Sequence, residues 1–386
     1  MEYTLKSQKN IKSINLMRNI NIFLVLIFIF FSVFTPADSL QIKKVSLFIL
    51  LIINPVYLLN KFLNKKYHTL GFHMFIFFPL IILISILSGG NISVTIASSY
   101  FVMIAGLNII IERYKMNYEK YFFGFLTIMT FIIVGSFLLD VFGIFDIYNN
   151  SFLMYLNRTG DAMIGKSPIY WSVYILFFKA SPLLIFLLAY YLFKRKYLLA
   201  SFVSIALALT GTRANFFAMF IMLFIFLFIQ QKKILLKLII LFLSILTILV
   251  LFEPINNYFS YMFVSKTGST INKIGDVKEI FEVFKEYPHT VFFGTGFGSE
   301  MKYGLSHTIS EVSLIDLWRK IGFFGLLMFL YYIFKPILKI WKSKDSRWVV
   351  YSFILYLAIS MTNPLFFSST AYMAYVFIYY KYYELV

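Results

Sequence analysis

NINIFLVLIFIFFSVF, Asn19–Phe34, decides what kind of protein this chain can be. Apart from Asn19, Asn21 and Ser32 the run is wholly apolar, and it carries no charge. A membrane-spanning helix needs about 20 mostly apolar residues, and with Lys6, Lys9, Lys12 and Arg18 before it and no cleavage signal after it, the run reads as an uncleaved anchor. The whole composition agrees. Of 386 residues 60% are hydrophobic and 13% charged, more apolar side chain than a single water-soluble core could hide. The 48 Phe and 28 Tyr suit lipid-facing surfaces and interfacial belts. With no cysteine there is no disulfide, no thiolate nucleophile and no cysteine-held metal, and four scattered histidines argue against a metal site of another kind. No cofactor is expected.

Twelve apolar runs can be drawn, at about 19–35, 45–60, 70–88, 92–111, 121–142, 170–193, 197–211, 213–230, 234–252, 321–341, 348–363 and 366–382. The expected fold is therefore an all-α, polytopic integral membrane protein of about twelve transmembrane helices, one membrane domain over 1–386, with a long loop with surface helices over 253–320, between the ninth and tenth spans. The net charge of +18 is spread over many short loops and forms no basic domain for nucleic acid. If the N-terminus is cytoplasmic, Lys61, Lys65, Lys66, Arg113, Lys115, Lys120, Lys194, Arg195, Lys196, Lys232, Lys233, Lys237, Lys335, Lys339, Lys342, Lys344 and Arg347 all fall inside. The short outer loops carry mainly Lys43, Lys44, Arg158 and Lys166. The bias obeys the positive-inside rule with both termini cytoplasmic, so the charge reports topology, with membrane lipids, an anionic leaflet above all, as its partner.

The polar chemistry collects in two places. The first is the long loop, extracytoplasmic under this topology. DVKEIFEVFKEY, Asp276–Tyr287, puts Val277, Ile280, Phe281 and Phe284 on one helical face, as an amphipathic surface helix or a solvated connecting one would. FFGTGFGSE follows, with Gly294, Gly296 and Gly298 alternating, either a plain turn or a backbone cradle for an anion. SHTISEVSLIDLWRKIGFFG, read as a helix from about His307, puts His307 and Glu311 four residues apart on one face and lets Asp316 pair with Lys320 on another. Glu311 would stand where the helix enters the bilayer, partly desolvated and suited to general-base work, or would be a solvated acid near a neighbouring base. The second place is LALTGTRANFF, where Arg213 interrupts apolar sequence between two short spans; it would either snorkel to headgroups or bind an anionic ligand with its planar fork. Arg158, in LNRTGDAM, is a weaker candidate of the same kind, and Lys179 and Asp140 are the charges placed well inside spans.

An outward TGTRAN break between two short helices, a long outer loop carrying FGTGFGS, and SEVSLIDLWRKIGFFGLLMFL leading into a helix resemble the O-antigen polymerase (Wzy-type) and O-antigen ligase superfamily of bacterial polysaccharide assembly. The likeness covers roughly Leu207–Phe329 and the count of spans. It implies a glycosyltransferase of the bacterial inner membrane that takes undecaprenyl-pyrophosphate-linked oligosaccharides on the outer face, alongside a chain-length regulator and a flippase. Ligase-like members carry a histidine eleven residues before the glycine that opens the following helix; counting back eleven from Gly322 lands on Glu311, with His307 one turn earlier. Glu311 is preferred as base, because a carboxylate in that slot resembles the polymerase-like members, and His307 stays open. On this reading Glu311 or His307 takes the acceptor's proton, while Arg213, aided by Arg158 or Arg319 and the backbone at Gly296 and Gly298, holds the pyrophosphate; no metal is needed.

The main rivals are an O-antigen ligase and a lipid-glycan flippase or other transporter, which would commonly show two related halves and charges buried in several spans. No duplication is evident in this chain. The topology makes the first prediction: reporter fusions after Gln231 and within Gly275–Lys302 report opposite sides of the membrane, and the same side for both would break it.

Overall fold

The structure is a computed structural model that describes residues 2–37, 40–166, 174–230, 267–299, 310, 312–361, 363 and 365–386. In chain order its helices are α1 (Glu2–Phe34), α2 (Ile42–Ile53), α3 (Pro55–Phe62), α4 (Lys65–Leu87), α5 (Ile92–Arg113), α6 (Tyr118–Val141) and α7 (Ser151–Thr159). After the strands β1 (Ala162–Lys166) and β2 (Tyr174–Phe178) come α8 (Leu184–Phe193), α9 (Tyr197–Leu209) and α10 (Arg213–Ile225). Then follow α11 (Thr267–Glu286), α12 (Thr290–Phe293), α13 (Ser313–Lys342), α14 (Arg347–Met361) and α15 (Ser369–Glu384). Among the described residues the architecture is all-helical apart from one antiparallel pair in which Ala162 faces Phe178 and Lys166 faces Tyr174.

Among the described residues, five helical segments are long and apolar enough to cross a membrane: Asn15–Phe34, Lys65–Leu87, Ile92–Arg113, Tyr118–Val141 and Ser313–Lys342. They answer to five of the twelve runs and make this a multi-pass membrane protein. The run at 45–60 is two helices bent by 75° at Asn54–Pro55, where proline lacks the amide that would continue the helix. The run at 170–193 departs from expectation: 174–178 is strand and only Leu184–Phe193 is α-helix. A short β-branched and aromatic stretch fits either state, and the partner strand at 162–166 decides it. The runs at 197–211 and 213–230 give helices of 13 residues each, and that at 234–252 lies outside the described residues.

The helices gather into a bundle with two distinguishable ends. At one, the Ala37 amide donates to Asp161 Oδ1 at 2.7 Å, Lys43 Nζ donates to Ser369 Oγ at 2.9 Å, and the Phe297 amide donates to Ser85 Oγ at 3.0 Å. At the other, Lys66 pairs with Glu112 at 3.3 Å, Arg113 Nη1 donates to Asn54 Oδ1 at 2.8 Å, and Lys381 pairs with Glu119. α15 runs from the first end to the second through the core, with Ala371–Tyr379 at most 1% exposed.

α13 is broken. Gly322 has φ 66° and ψ 178°, a conformation open in practice only to glycine, so the helical ladder stops there. The break releases the carbonyls of Arg319 and Lys320, which accept from the amides of Thr295 (2.7 Å) and Gly296 (2.9 Å). A Cβ on Gly322 would strike the Phe292 carbonyl, so the glycine is also what lets α12 lie against α13. Helix α11 completes this end: Ile280 and Phe284 bury against Val291, Ile315 and Trp318, and Trp318 Nε1 donates to the Val291 carbonyl at 2.9 Å. The face expected to lie on the membrane surface is thus turned partly inward onto protein, leaving Ile271, Ile274 and Phe281 exposed. The expected start of α13 at His307 also moves, because Ser310 and Val312 are not helical and the helix opens at Ser313.

Replacing Gly322 by Ala should cost about 1–3 kcal/mol from backbone strain alone, more with the collision. Thermal unfolding of the detergent-purified protein reads this as a lowered midpoint; an unshifted midpoint would contradict the break.

Candidate functional site: a lysine-lined cavity at one end of the bundle

Between α2, α5, α13 and the turn before α15 lies a cavity of about 280 Å³. Its polar wall is Lys44, Lys320, Asp316 and the serines at 98, 310, 313, 368 and 369; its apolar wall includes Tyr100, Phe101, Phe297 and Phe367. Each piece reaches the cavity for a local reason. Lys43 shares the buried face of α2 with Ser46, Leu47 and Leu50 and is fixed by the Pro36 carbonyl (2.6 Å) and Ser369, which swings its neighbour Lys44 to the cavity, Nζ 5.3 Å over the Tyr100 ring. Lys320 comes from the half of α13 before the Gly322 break.

The carboxylate of Asp316 organises this wall. Its Oδ1 receives Arg319 Nε at 3.0 Å and Nη2 at 2.7 Å, and its Oδ2 receives Lys320 Nζ at 2.7 Å. Arg319 is 1% exposed and Asp316 4%, so the pair is a buried fork. The other arm of the guanidinium, Nη1, reaches Thr295 Oγ1 at 3.3 Å and Ser299 Oγ, tying the glycine loop down. Among the described residues that line the cavity, the charged ones are Lys44, Lys320 and Asp316.

The expected site residues distribute unevenly over this geometry. Arg319 is buried in its ion pair with Asp316 and is not among the residues lining the cavity. The amides of Thr295, Gly296 and Phe297 donate to the carbonyls of Arg319 and Lys320 and to Ser85 Oγ, which engages three of the loop's donors in close packing. Gly296 (φ 79°) sits with the position of a Cβ 2.6 Å from Ser85 Cα, and Gly298 abuts the Asn91 amide. Arg158 is exposed in the last turn of α7, not in a loop. Lys179 follows β2 instead of lying within a span; burial pulls its pKa down and neighbouring Asp161 pushes it back up, with the net direction down. Asp140 ends α6 and accepts from the Ile147 amide at 3.2 Å.

Arg213 opens α10 directly after Gly211, as the TGTRAN reading expects, and is half-buried. Asn215, fully buried, orders this break by donating to Thr210 Oγ1 at 3.1 Å and Ser181 Oγ at 3.2 Å. Arg213 lies at the same end of the bundle but is not among the residues lining the cavity. His307 and Glu311 lie outside the described residues. The chain neighbours of Glu311 do not: Ser310 and Ser313 both line the cavity, and Ser310 is held between two acids, its Oγ donating to Asp276 Oδ2 at 2.6 Å and its amide to Asp316 Oδ2 at 3.4 Å.

Lys44 and Lys320 are the residues that reading the sequence for function passed over. Lys43 could have drawn attention to the start of α2, since a base in register with an apolar helical face needs a buried partner. Compared with protein-family models, curated proteins and solved structures, the chain matches none.

Arg319→Lys keeps the charge but loses the fork that spans Asp316 and Ser299. It should lower the thermal midpoint of the purified protein, by about a degree for each kcal/mol lost in a chain of this length. An unshifted midpoint would deny that Arg319 holds this end of the fold.

Proposed function

We propose that this protein is a membrane glycosyltransferase that polymerises undecaprenyl-pyrophosphate-linked oligosaccharide repeat units, of O-antigen or capsular type, on the outer face of the bacterial inner membrane. The observation that carries the reading is the cavity that Lys44 and Lys320 line together with Ser310, which precedes Glu311 in the chain, and Ser313. The motif resemblance over Leu207–Phe329 points the same way. The topology proposed with it has about twelve spans and both termini cytoplasmic. The end bearing Lys61, Lys65, Lys66, Arg113, Lys335 and Lys339 would face the cytoplasm, and the cavity end, which is poorer in bases, would face out.

In this scheme a hydroxyl of one lipid-linked repeat attacks the anomeric carbon of another. A carbon–oxygen bond forms to the acceptor, the bond to the pyrophosphate oxygen breaks, and the lipid pyrophosphate leaves with the electron pair. Lys44 and Lys320 would neutralise the departing phosphate as preorganised charge, with Arg213 a further cation at the same end. Glu311, or His307, would take the hydroxyl proton. Arg319, whose donors go to Asp316, Thr295 and Ser299, would act from behind the two lysines that line the cavity, holding Lys320 in place through their shared Asp316. The partners proposed are the lipid-linked oligosaccharides, a flippase that delivers them and a chain-length regulator.

The test is surface polysaccharide length on gels, in cells dependent on this protein, with membrane levels of each variant checked by blotting. Lys44→Ala, Arg213→Ala and Glu311→Gln should each leave mainly single repeat units, since losing a transition-state donor or a general base costs on the order of a hundredfold or more in rate. Unchanged chain lengths in all three would end the proposal. Polymer that forms but is not attached to its final acceptor would favour the ligase alternative, and lipid-linked repeats held on the cytoplasmic face would favour a flippase.

A further inference from the structure

A second polar feature runs through the bundle and takes no part in the cavity chemistry. One face of α15 carries Tyr372, Tyr375, Tyr379 and Tyr383, spaced at helical intervals from the cavity end to the opposite end. His73, on a π-helical turn of α4 (His73–Phe77), lies against it: His73 Nε2 and Tyr372 Oη share a hydrogen bond of 2.6 Å, and the imidazole stacks on the Tyr332 ring at 3.8 Å with the planes 2° apart. A π-turn shifts the side-chain register, and such turns are frequent at functional positions. Tyr332 stacks in turn on Tyr379 at 4.9 Å, Tyr379 meets Tyr383 at 5.9 Å, and Tyr383 meets Tyr67 at 4.8 Å.

Among the described residues, His73 Nδ1 and the hydroxyls of Tyr332, Tyr67 and Tyr383 are buried without a hydrogen-bond partner. At the far end a second cavity, of about 320 Å³, is lined by Tyr383, Tyr380, Glu112, Glu384, Lys115 and Asn108, and both amide atoms of Asn108 are also unpartnered although the residue is 3% exposed. Each such group loses its hydration without recompense if left dry, so a line of them is physically reasonable only where water enters. The charged groups near the line are Lys335, bonded to Thr69 one turn from His73, Lys61, with Nζ 5.7 Å over the Tyr67 ring, and the Lys66–Glu112 pair beside Tyr67 and Tyr383. At the other extremity Phe101 and Phe367 cover Tyr372 at 5.5 and 5.9 Å and at the same time line the first cavity.

We infer that the His73–Tyr332–Tyr383 line is a water-assisted proton path between the two cavities, closed at the first by Phe101 and Phe367. A proton entering from the second cavity is passed along by exchange: each hydroxyl or water accepts one proton and releases another. His73 accepts at one ring nitrogen and donates from the other, so one proton is moved and no group is left altered. Titratable chains inside membrane proteins serve such relays.

The test uses the purified full chain in vesicles of phosphatidylethanolamine and phosphatidylglycerol that hold a pH-sensitive dye, with proton entry driven by a potassium diffusion potential. Phe367→Ala, or Phe101→Ala should the first not give a monodisperse protein, should acidify the lumen faster than protein-free vesicles. Adding His73→Phe or Tyr332→Phe, which keep a ring and remove the polar atoms, should return the rate to the protein-free level. A gate variant no faster than empty vesicles, or a rate untouched by loss of both His73 and Tyr332 polar groups, would overturn the inference. Neither readout depends on the glycan proposal.

Discussion

Asp316 is the group on which this end of the molecule depends. It lies 4% exposed between Arg319 and Lys320, where one anion must satisfy two buried cations. Taking any one of these charges out of water alone would be prohibitive; together they are tolerable because the fork geometry and the hydroxyls of Thr295 and Ser299 absorb the remaining donors. Such a cluster confers specificity of arrangement more than net stability. It holds the glycine loop against α13, sets Lys320 on the cavity wall, and through the Ser310 amide fixes the chain beside Glu311.

The Gly322 break makes the cluster possible. An unbroken α13 would keep the Arg319 and Lys320 carbonyls within its own ladder, and the loop amides at 295 and 296 would then face a wall with no acceptors. Because the break frees those carbonyls, a short irregular segment can pack at the mouth of a helical bundle without stranding its backbone, as irregular structure beside a membrane requires. The geometry also explains why the alternating glycines are present. They let backbone approach backbone, Gly294 at Lys320 and Gly296 at Ser85.

How far the sequence could be read follows from the range of each interaction. Long apolar runs such as Lys65–Leu87 and Tyr118–Val141 depend on local composition, and they stand as helices near where they were drawn. The TGTRAN break was legible because Gly211 and Arg213 interrupt an apolar pattern within a few residues. The strand at 174–178 was not, since YILFF fits helix or strand and its partner at 162–166 decides the matter. Nor were the cavity lysines, which are 276 positions apart in the numbering of Lys44 and Lys320, or the bond between His73 and Tyr372, which are 299 positions apart. The pairing of Asp316 with Lys320 was visible as an i,i+4 pair, but the stronger fork to Arg319 turned a residue expected to bind substrate into one that holds the fold.

The central claim, that Asp316 and Arg319 act as one unit on which this end of the bundle is built, can be measured by a double-mutant cycle. Asp316→Asn, Arg319→Met and the double variant would be unfolded by denaturant in detergent micelles beside the parent. A coupling of about 2 kcal/mol or more is the expected result for a buried charged pair in direct contact. A coupling below about 0.5 kcal/mol, the level found for independent sites, would contradict it.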